Sequence, residues 1–329
     1  MNAFLSLSFL LFFLAESNLL AQERPAPSGP MGAIGGLAGF GPQVPTLSYE
    51  GSHIAESESG NSGPVVNENS LGISMPVFKS EKETVSLALS GSTLHFGEEL
   101  TLDSGTTVPN DFYKAEAGLQ YSRRLEEKGK SFGLRGTVGY AGDKINDRTQ
   151  SFNFIANYSF PGSEGGQWVT MLYISNNGPF GAYVPIPGFF YMHRTPAFTG
   201  LFGLPLLSMQ WTPVNPWAFS FSLFGTTVKT EAAYGAMEQI QFFTGLGFKQ
   251  QKFLLSNRVE EKDRYTIEEK NAEIGFRKPL YENVFSEFKA GYVFDRTNFI
   301  GQGLTDKDGG SIALDQSYYF KWSARVMIK

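Results

Sequence analysis

The side chains able to do chemistry are few and scattered. Three histidines, His53, His95 and His193, are the only imidazoles in a chain of 329 residues, and Cys is absent. Zinc sites draw on His or Cys ligands a few residues apart, a spacing that no two of these share. Without Cys the chain has no thiol nucleophile, no disulfide and no residue for attachment of a lipoprotein anchor. The stretch DKDGG, Asp306 to Gly310, opens like a calcium loop, but the later ligands of that motif are missing, and an exposed turn accounts for the same residues. There is no G-x-S-x-G elbow and no phosphate loop. His95 shares the parity of Val85, Leu87 and Leu89, which on a barrel would turn it toward lipid, yet neither Ser nor acid can be joined to it from the sequence. The expectation is therefore no enzyme, no cofactor and no metal.

Charge pairing is the stronger signal. Alternation sets Glu273 and Arg277, then Glu287, Lys289 and Asp295, then Asp315, Lys321 and Arg325 on one face of three successive segments. Folding about PLYEN, 279 to 283, brings Arg277 to Glu287 and lets Glu273 meet Lys289 diagonally, and folding the next segment brings Arg325 to the other side of Glu287. Such cross-strand pairs contribute roughly 0.2–1 kcal/mol each, and the same charges would equally hydrate a wide pore. A second cluster is apolar. Between Asn176 and Phe198 the chain carries Tyr183, Pro185, Pro187, Phe189, Phe190, Tyr191 and Arg194, more apolar surface than a water-exposed loop tolerates. Either this segment constricts a barrel mouth or part of it is a strand.

The elements that must hold these residues are strands. In YKAEAGLQYSRRL, Tyr113 to Leu125, the odd positions are apolar except Arg123 and the even positions polar or small. The same period of two returns at 84–90, 131–140, 151–160, 239–249 and 311–329, and helical spacing is nowhere sustained. Connections alternate in length. Short turns at 80–83, 126–130, 161–166, 212–216 and 279–283 interleave with longer loops near 97–111, 143–150, 177–199, 256–264 and 301–310. With a tight turn at Gly225 this gives about 14 strands with both chain ends on the short-turn side, or twelve if the weak patterns at 47–57 and 227–235 are not strands.

A soluble sandwich would bury the apolar faces, whereas an outer-membrane barrel turns them to lipid. Strands of ten or so residues, short turns at one end, and aromatics such as Tyr113, Tyr121, Phe160, Tyr318 and Trp322 on the apolar face favour the barrel. The fold class is thus all-β, an antiparallel up-and-down transmembrane barrel with its charged face lining a lumen. Residues 1–21 read as a secretory signal, 22–46 as a Pro/Gly-rich periplasmic leader and 47–329 as the barrel. A net charge of −5 without basic clusters excludes a nucleic-acid partner. GYVFDRTNFIGQG, Gly291 to Gly303, and VPIPGFFYMHR, Val184 to Arg194, resemble a family of uncharacterised bacterial outer-membrane β-barrel domains over most of residues 65–329. The resemblance implies the outer membrane of a Gram-negative-type bacterium and no chemistry. Lys329 stands where many such barrels end in an aromatic residue. The partners expected are outer-membrane lipids and small solutes, and the activity expected is passive passage through the lumen. The alternatives are a non-conducting structural or surface-interaction barrel, a lipid hydrolase, and a transporter of apolar molecules plugged by Ile34 to Phe40.

Overall fold

The computed structural model describes residues 44–57, 63–236, 238–303 and 306–328. The expected signal, the apolar Ile34 to Phe40 segment and nearly all of the leader lie outside the described residues. Among the described residues nineteen strands follow one another: β1 (Thr46–Ile54), β2 (Val66–Lys79), β3 (Glu83–Phe96), β4 (Leu100–Thr101), β5 (Thr107–Val108), β6 (Asp111–Arg124), β7 (Ser131–Gly142), β8 (Gln150–Pro161), β9 (Gln167–Ser175), β10 (Ile186–Arg194), β11 (Phe198–Leu204), β12 (Leu206–Trp211), β13 (Trp217–Phe224), β14 (Thr227–Tyr234), β15 (Gln241–Phe253), β16 (Arg264–Tyr281), β17 (Val284–Gly301), β18 (Ser311–Leu314) and β19 (Ser317–Met327). Sixteen of them pair antiparallel with their neighbours in chain order, and β19 pairs with β1 to close the ring. Of the remainder, β18 extends the line of β19 along β17, and β4 with β5 makes a separate small hairpin.

The ring therefore has 16 strands and not about 14. Both weak segments are strands, β1 and β14. The two strands missing from the count come from one region. Residues 186–194, expected within a long loop, form β10, and the stretch 198–211 is two strands, β11 and β12, divided at Pro205. In β10 both faces are largely apolar, with Phe189 and Tyr191 alternating with Ile186, Phe190 and Met192, and a strand apolar on both sides hides its period of two.

The faces are inverted relative to a soluble sandwich. Outward Leu119, Val138, Leu246 and Ile274 are 59–65% exposed, while inward Glu231, Glu273 and Arg277 are 6–8% exposed. Outward rings form a belt toward the short-turn end, including Tyr121–Phe132 at 5.6 Å between centroids, Trp168–Phe189 at 4.7 Å, Trp217–Tyr234 at 5.1 Å and Phe276–Phe288 at 5.2 Å. Nearer the long loops, Tyr292 and Tyr318 meet edge to face at 5.2 Å.

At the long-loop end the ring is pinched. Opposite walls touch where Gly142 at the end of β7 forms a parallel bridge with Leu254, just past β15. The Leu254 N–H donates to the Ala141 carbonyl at 2.8 Å, and the Asp143 carboxylate accepts from the N–H and hydroxyl of Ser256 at 2.6 and 2.7 Å. Only Gly fits at 142, because a Cβ there would lie 2.1 Å from the Leu254 oxygen. Beside this seam Phe112 of β6 stacks on Tyr265 at 5.0 Å and meets Phe253 at 4.7 Å. The upper lumen is thereby divided into a lobe walled by β16, β17, β19, β1, β2, β3 and β6, and a lobe walled by β8 to β14.

Candidate functional site

The charged network sits low in the lumen, on inner faces of β16 and β17 of the first lobe and of β14 from the other wall. Lys289 lies 2.9 Å from Glu287 and 3.3 Å from Glu273, Lys229 lies 3.2 Å from Glu273 and 3.5 Å from Glu231, and Arg277 pairs with Glu231 and, at 3.5 Å, with Glu287. Tyr319 of β19 donates its hydroxyl proton to Glu273 at 2.7 Å and accepts from the Asn271 amide at 2.8 Å. Three cations face three anions, so charge is balanced in a setting where an unmatched ion would be costly. The Arg277 guanidinium and the Lys289 ammonium also lie over the Phe243 ring, at 4.4 and 5.5 Å.

Four of the eight residues singled out in the sequence, Glu273, Arg277, Glu287 and Lys289, are brought together here. Register puts Arg277 directly opposite Glu287, and Glu273 and Lys289 meet across the diagonal. The other four stand elsewhere. Lys321 is opposite Lys289, a like charge, and pairs instead with Glu50 of β1 at 2.5 Å. A bulge in the β16–β17 pairing, with Asp295 at φ +49°, breaks the alternation, so Asp295 is exposed and pairs with Lys270 while Arg296 turns inward. Asp315 lies in the break between β18 and β19. Arg325 is opposite Phe285 and Ser48, and makes no ion pair among the described residues. Alternation along one strand gives no warning of a bulge, which is why Asp295 is misplaced. Lys229 and Glu231 were missed because β14 reads weakly, although both share one parity on that segment.

Above the network an apolar plug fills the first lobe. Ile54, Val66, Leu94, Phe96, Phe112 and Val293 pack with Leu100, Leu102 and Val108 of the loop between β3 and β6. That loop reaches across the mouth: Ser104 donates to the Gly309 carbonyl at 2.9 Å and Asp103 accepts from the Ser311 N–H at 2.7 Å. Beneath the plug lies a cavity of ≈ 190 Å³, bounded below by Lys229, Glu273 and Lys289 and crossed by a Lys249–Glu68 ion pair of 2.9 Å. A cavity of ≈ 270 Å³ lies between β6 to β8 and the end of β15, lined by Lys114, Asn153, Gln250 and Lys252 together with Ala141 and Phe224. In the second lobe Ile155, Val169, Met171, Phe190, Leu201 and Leu206 form an apolar cluster on the inner wall.

The aromatic segment divides between these roles. Residues 176–185 are a true loop, bent over the second lobe: Lys252 donates to the Pro179 carbonyl at 2.8 Å, and the Asn177 amide donates to the Lys252 carbonyl at 3.2 Å. Tyr183 and Pro185 belong to that loop. Pro187, Phe189, Phe190, Tyr191 and Arg194 are in β10 and so are not constriction residues in a loop: Phe189 and Tyr191 join Trp168 in the outer belt, and Phe190 is fully buried inside.

The histidines and the acidic turn also have definite places. His53, Asn67, His95 and Asp111 are consecutive cross-strand neighbours on the outer face of β1, β2, β3 and β6. His95 Nδ1 is 2.8 Å from Asp111 and His53 Nδ1 is 2.8 Å from Asn67, while His193 lies across the ring on β10. No Ser is a cross-strand neighbour of His95. Asp306 accepts from the N–H groups of Gln302 and Asp308 at 3.0 Å each, which holds its carboxyl below the usual carboxylate range and commits its oxygens to its own turn. Among the described residues no three His, Asp or Glu side chains converge as a metal site would require.

No protein-family model and no curated protein matches the chain, so no family is identified for the segments Gly291 to Gly303 and Val184 to Arg194. Among solved structures, an outer membrane channel from Pseudomonas putida F1 is 10% identical with a TM-score of 0.37, covering 87% of this chain and 96% of that one. The Pseudomonas putida toluene transporter TodX is 8% identical with a TM-score of 0.34, over 88% of this chain and 91% of that one. LpxR from Salmonella typhimurium is 9% identical with a TM-score of 0.32, over 86% of this chain and 99% of that one. At such scores these likenesses carry no argument about the lumen.

Proposed function

We propose that the chain is an outer-membrane channel for small solutes whose lumen is closed at rest, with no catalytic step. Membrane location is supported by the inverted faces and the aromatic belts, which suit a barrel whose outer surface meets lipid. On this reading the long loops face the cell exterior. One observation carries closure: the seam between β7 and the chain after β15, where Ala141–Leu254 and Asp143–Ser256 join opposite walls. Passive passage of the simple kind requires a continuous aqueous path, and the seam, the plug and the 176–185 loop stand across it. Fractionation should place the protein in the outer membrane with a gel mobility that shifts on boiling.

In planar bilayers the wild-type barrel should be silent for most of the record. The pair Asp143→Ala with Ser256→Ala removes the side-chain half of the seam and should raise the open fraction severalfold. Steady conductance by wild type would overturn closure. Silence of both proteins, each folded by the boiling test, would favour the second reading, a structural barrel, for which the same seam is the motivating feature.

A further inference from the structure

One cation lining the cavity beneath the apolar plug makes no direct ion pair among the described residues. The cavity's other lining cations all have anionic partners: Lys249 lies 2.9 Å from Glu68 and is in register with Glu269, Lys321 lies 2.5 Å from Glu50, and Lys229 and Lys289 share Glu273. Arg296 does not. It lines the cavity, is 96% buried, makes no ion pair among the described residues, and its Nη1 has no hydrogen-bond partner there. The bulge at Asp295 is what turns it inward, and the backbone holds it close, since a Cβ on Gly63 would lie 3.1 Å from Nη1. A guanidinium is planar, permanently charged and shaped to receive two carboxylate oxygens, and burying it unmatched is costly. The remaining upper wall is hydrocarbon: Ile54, Val66, Leu94, Phe96 and Val293.

We propose that this chamber binds a small organic anion, with a carboxylate on Arg296 and an apolar body against Leu94, Phe96 and Val293. The volume of ≈ 190 Å³ suits a molecule of the size of hexanoate and leaves no room for a long-chain lipid. Glu269, which also lines the chamber, disfavours a second negative charge on the ligand, so the class is monocarboxylates. The proposal does not rest on conduction: a silent barrel with this chamber would still bind.

The test is calorimetric titration of the folded full chain in detergent with hexanoate, hexanol and hexylamine near neutral pH. Hexanoate should bind, hexanol more weakly, and hexylamine not at all. Arg296→Gln should weaken hexanoate by about tenfold or more, because a charge-assisted pair is lost, and leave hexanol nearly unchanged. Leu94→Trp should exclude both by filling the chamber. No hexanoate binding by wild type, equal binding of hexanoate and hexylamine, or an Arg296→Gln protein that binds hexanoate as wild type does would each overturn the proposal. If Arg296→Gln does not fold, the wild-type preference among the three probes and the Leu94→Trp result still decide it.

Discussion

The two lobes of the lumen are built from walls of different height and stabilised by different physics. In the first lobe β16 and β17 run 18 residues each and β2, β3 and β6 run 14. In the second, β11 and β12 have 7 and 6 residues, and β13 and β14 have 8 each. A bilayer-spanning strand needs roughly 9–11 residues, so the tall wall projects well beyond the membrane while the low wall barely crosses it. The tall wall has inner surface to spare, filled by the plug above and the ion network below. The low wall lacks that height, and its inner face packs Phe190 against Val169, Leu201 and Leu206, like the core of a soluble protein. Its turns are correspondingly apolar outside, with Leu204 and Val214 77% and 68% exposed to the surroundings, as suits tips that remain near lipid. Polarity inversion is thus a property of each wall, set by how much water its inner face must hold.

The largest effect expected follows from the network. Glu273→Leu leaves Lys229 and Lys289 short of an anion and Tyr319 without its acceptor, in a part of the lumen with little water. Removing one partner of a buried pair typically costs about 3–5 kcal/mol. The temperature at which the boiling-sensitive gel band converts should fall markedly, whereas Asn157→Leu on the inner face of the low wall should shift it far less. Equal stability of Glu273→Leu and wild type would break the comparison, since the tall wall would then be holding its charges in bulk-like water.

An intermediate effect distinguishes the two apolar clusters. Leu201→Ala in β11 truncates the low wall's own core and should cost about 2–5 kcal/mol of barrel stability. Leu102→Ala lies in the lid between β3 and β6, outside the ring, and should leave the conversion temperature close to wild type while making 97–110 easier to cleave with protease. If Leu102→Ala destabilised the ring as much as Leu201→Ala, the plug would be part of the barrel's core and not a cover over it.

Most of the tall wall was legible in the sequence; of the low wall β8 was, and β10 to β12 were not. Strands β6, β16, β17 and β19, with β7 and β15 at the seam and β8 beyond it, alternate apolar with polar because lipid lies on one side and water or ions on the other, and that contrast in β16 and β17 sets the parity of Arg277, Glu287, Glu273 and Lys289. In β10 the contrast vanishes, since both faces are largely apolar, so the period leaves 186–194 open between loop and strand, and β11 and β12, of 7 and 6 residues, are too short for their patterns to separate at Pro205. The pairing of Arg277 with Glu287 was readable from a turn of known position at 279–283. The seam was not, because Gly142 and Leu254 are brought together by closure of the whole ring. Nor was Arg296, whose face depends on the residue before it leaving the strand conformation.

The smallest energies attach to that residue, and they have opposing signs. Asp295 holds φ at +49° and pairs with Lys270, both exposed, so the ion pair contributes about 0–1 kcal/mol. A left-handed conformation costs a residue with a Cβ roughly 1–2 kcal/mol, which Asp partly escapes and Gly escapes altogether. Asp295→Gly thus loses the pair and relieves the backbone, and its stability should stay within about 1 kcal/mol of wild type. Asp295→Val gains neither: it loses the pair and places a β-branched side chain at positive φ, and should cost about 1–3 kcal/mol. The two variants also differ inside the barrel. If Val removes the bulge to escape strain, alternation is restored through Asn298, Arg296 rotates outward, and hexanoate binding is lost with it, while Asp295→Gly preserves both. A Val variant as stable as wild type that still binds hexanoate would show that the bulge is held by the surrounding pairs and not by residue 295.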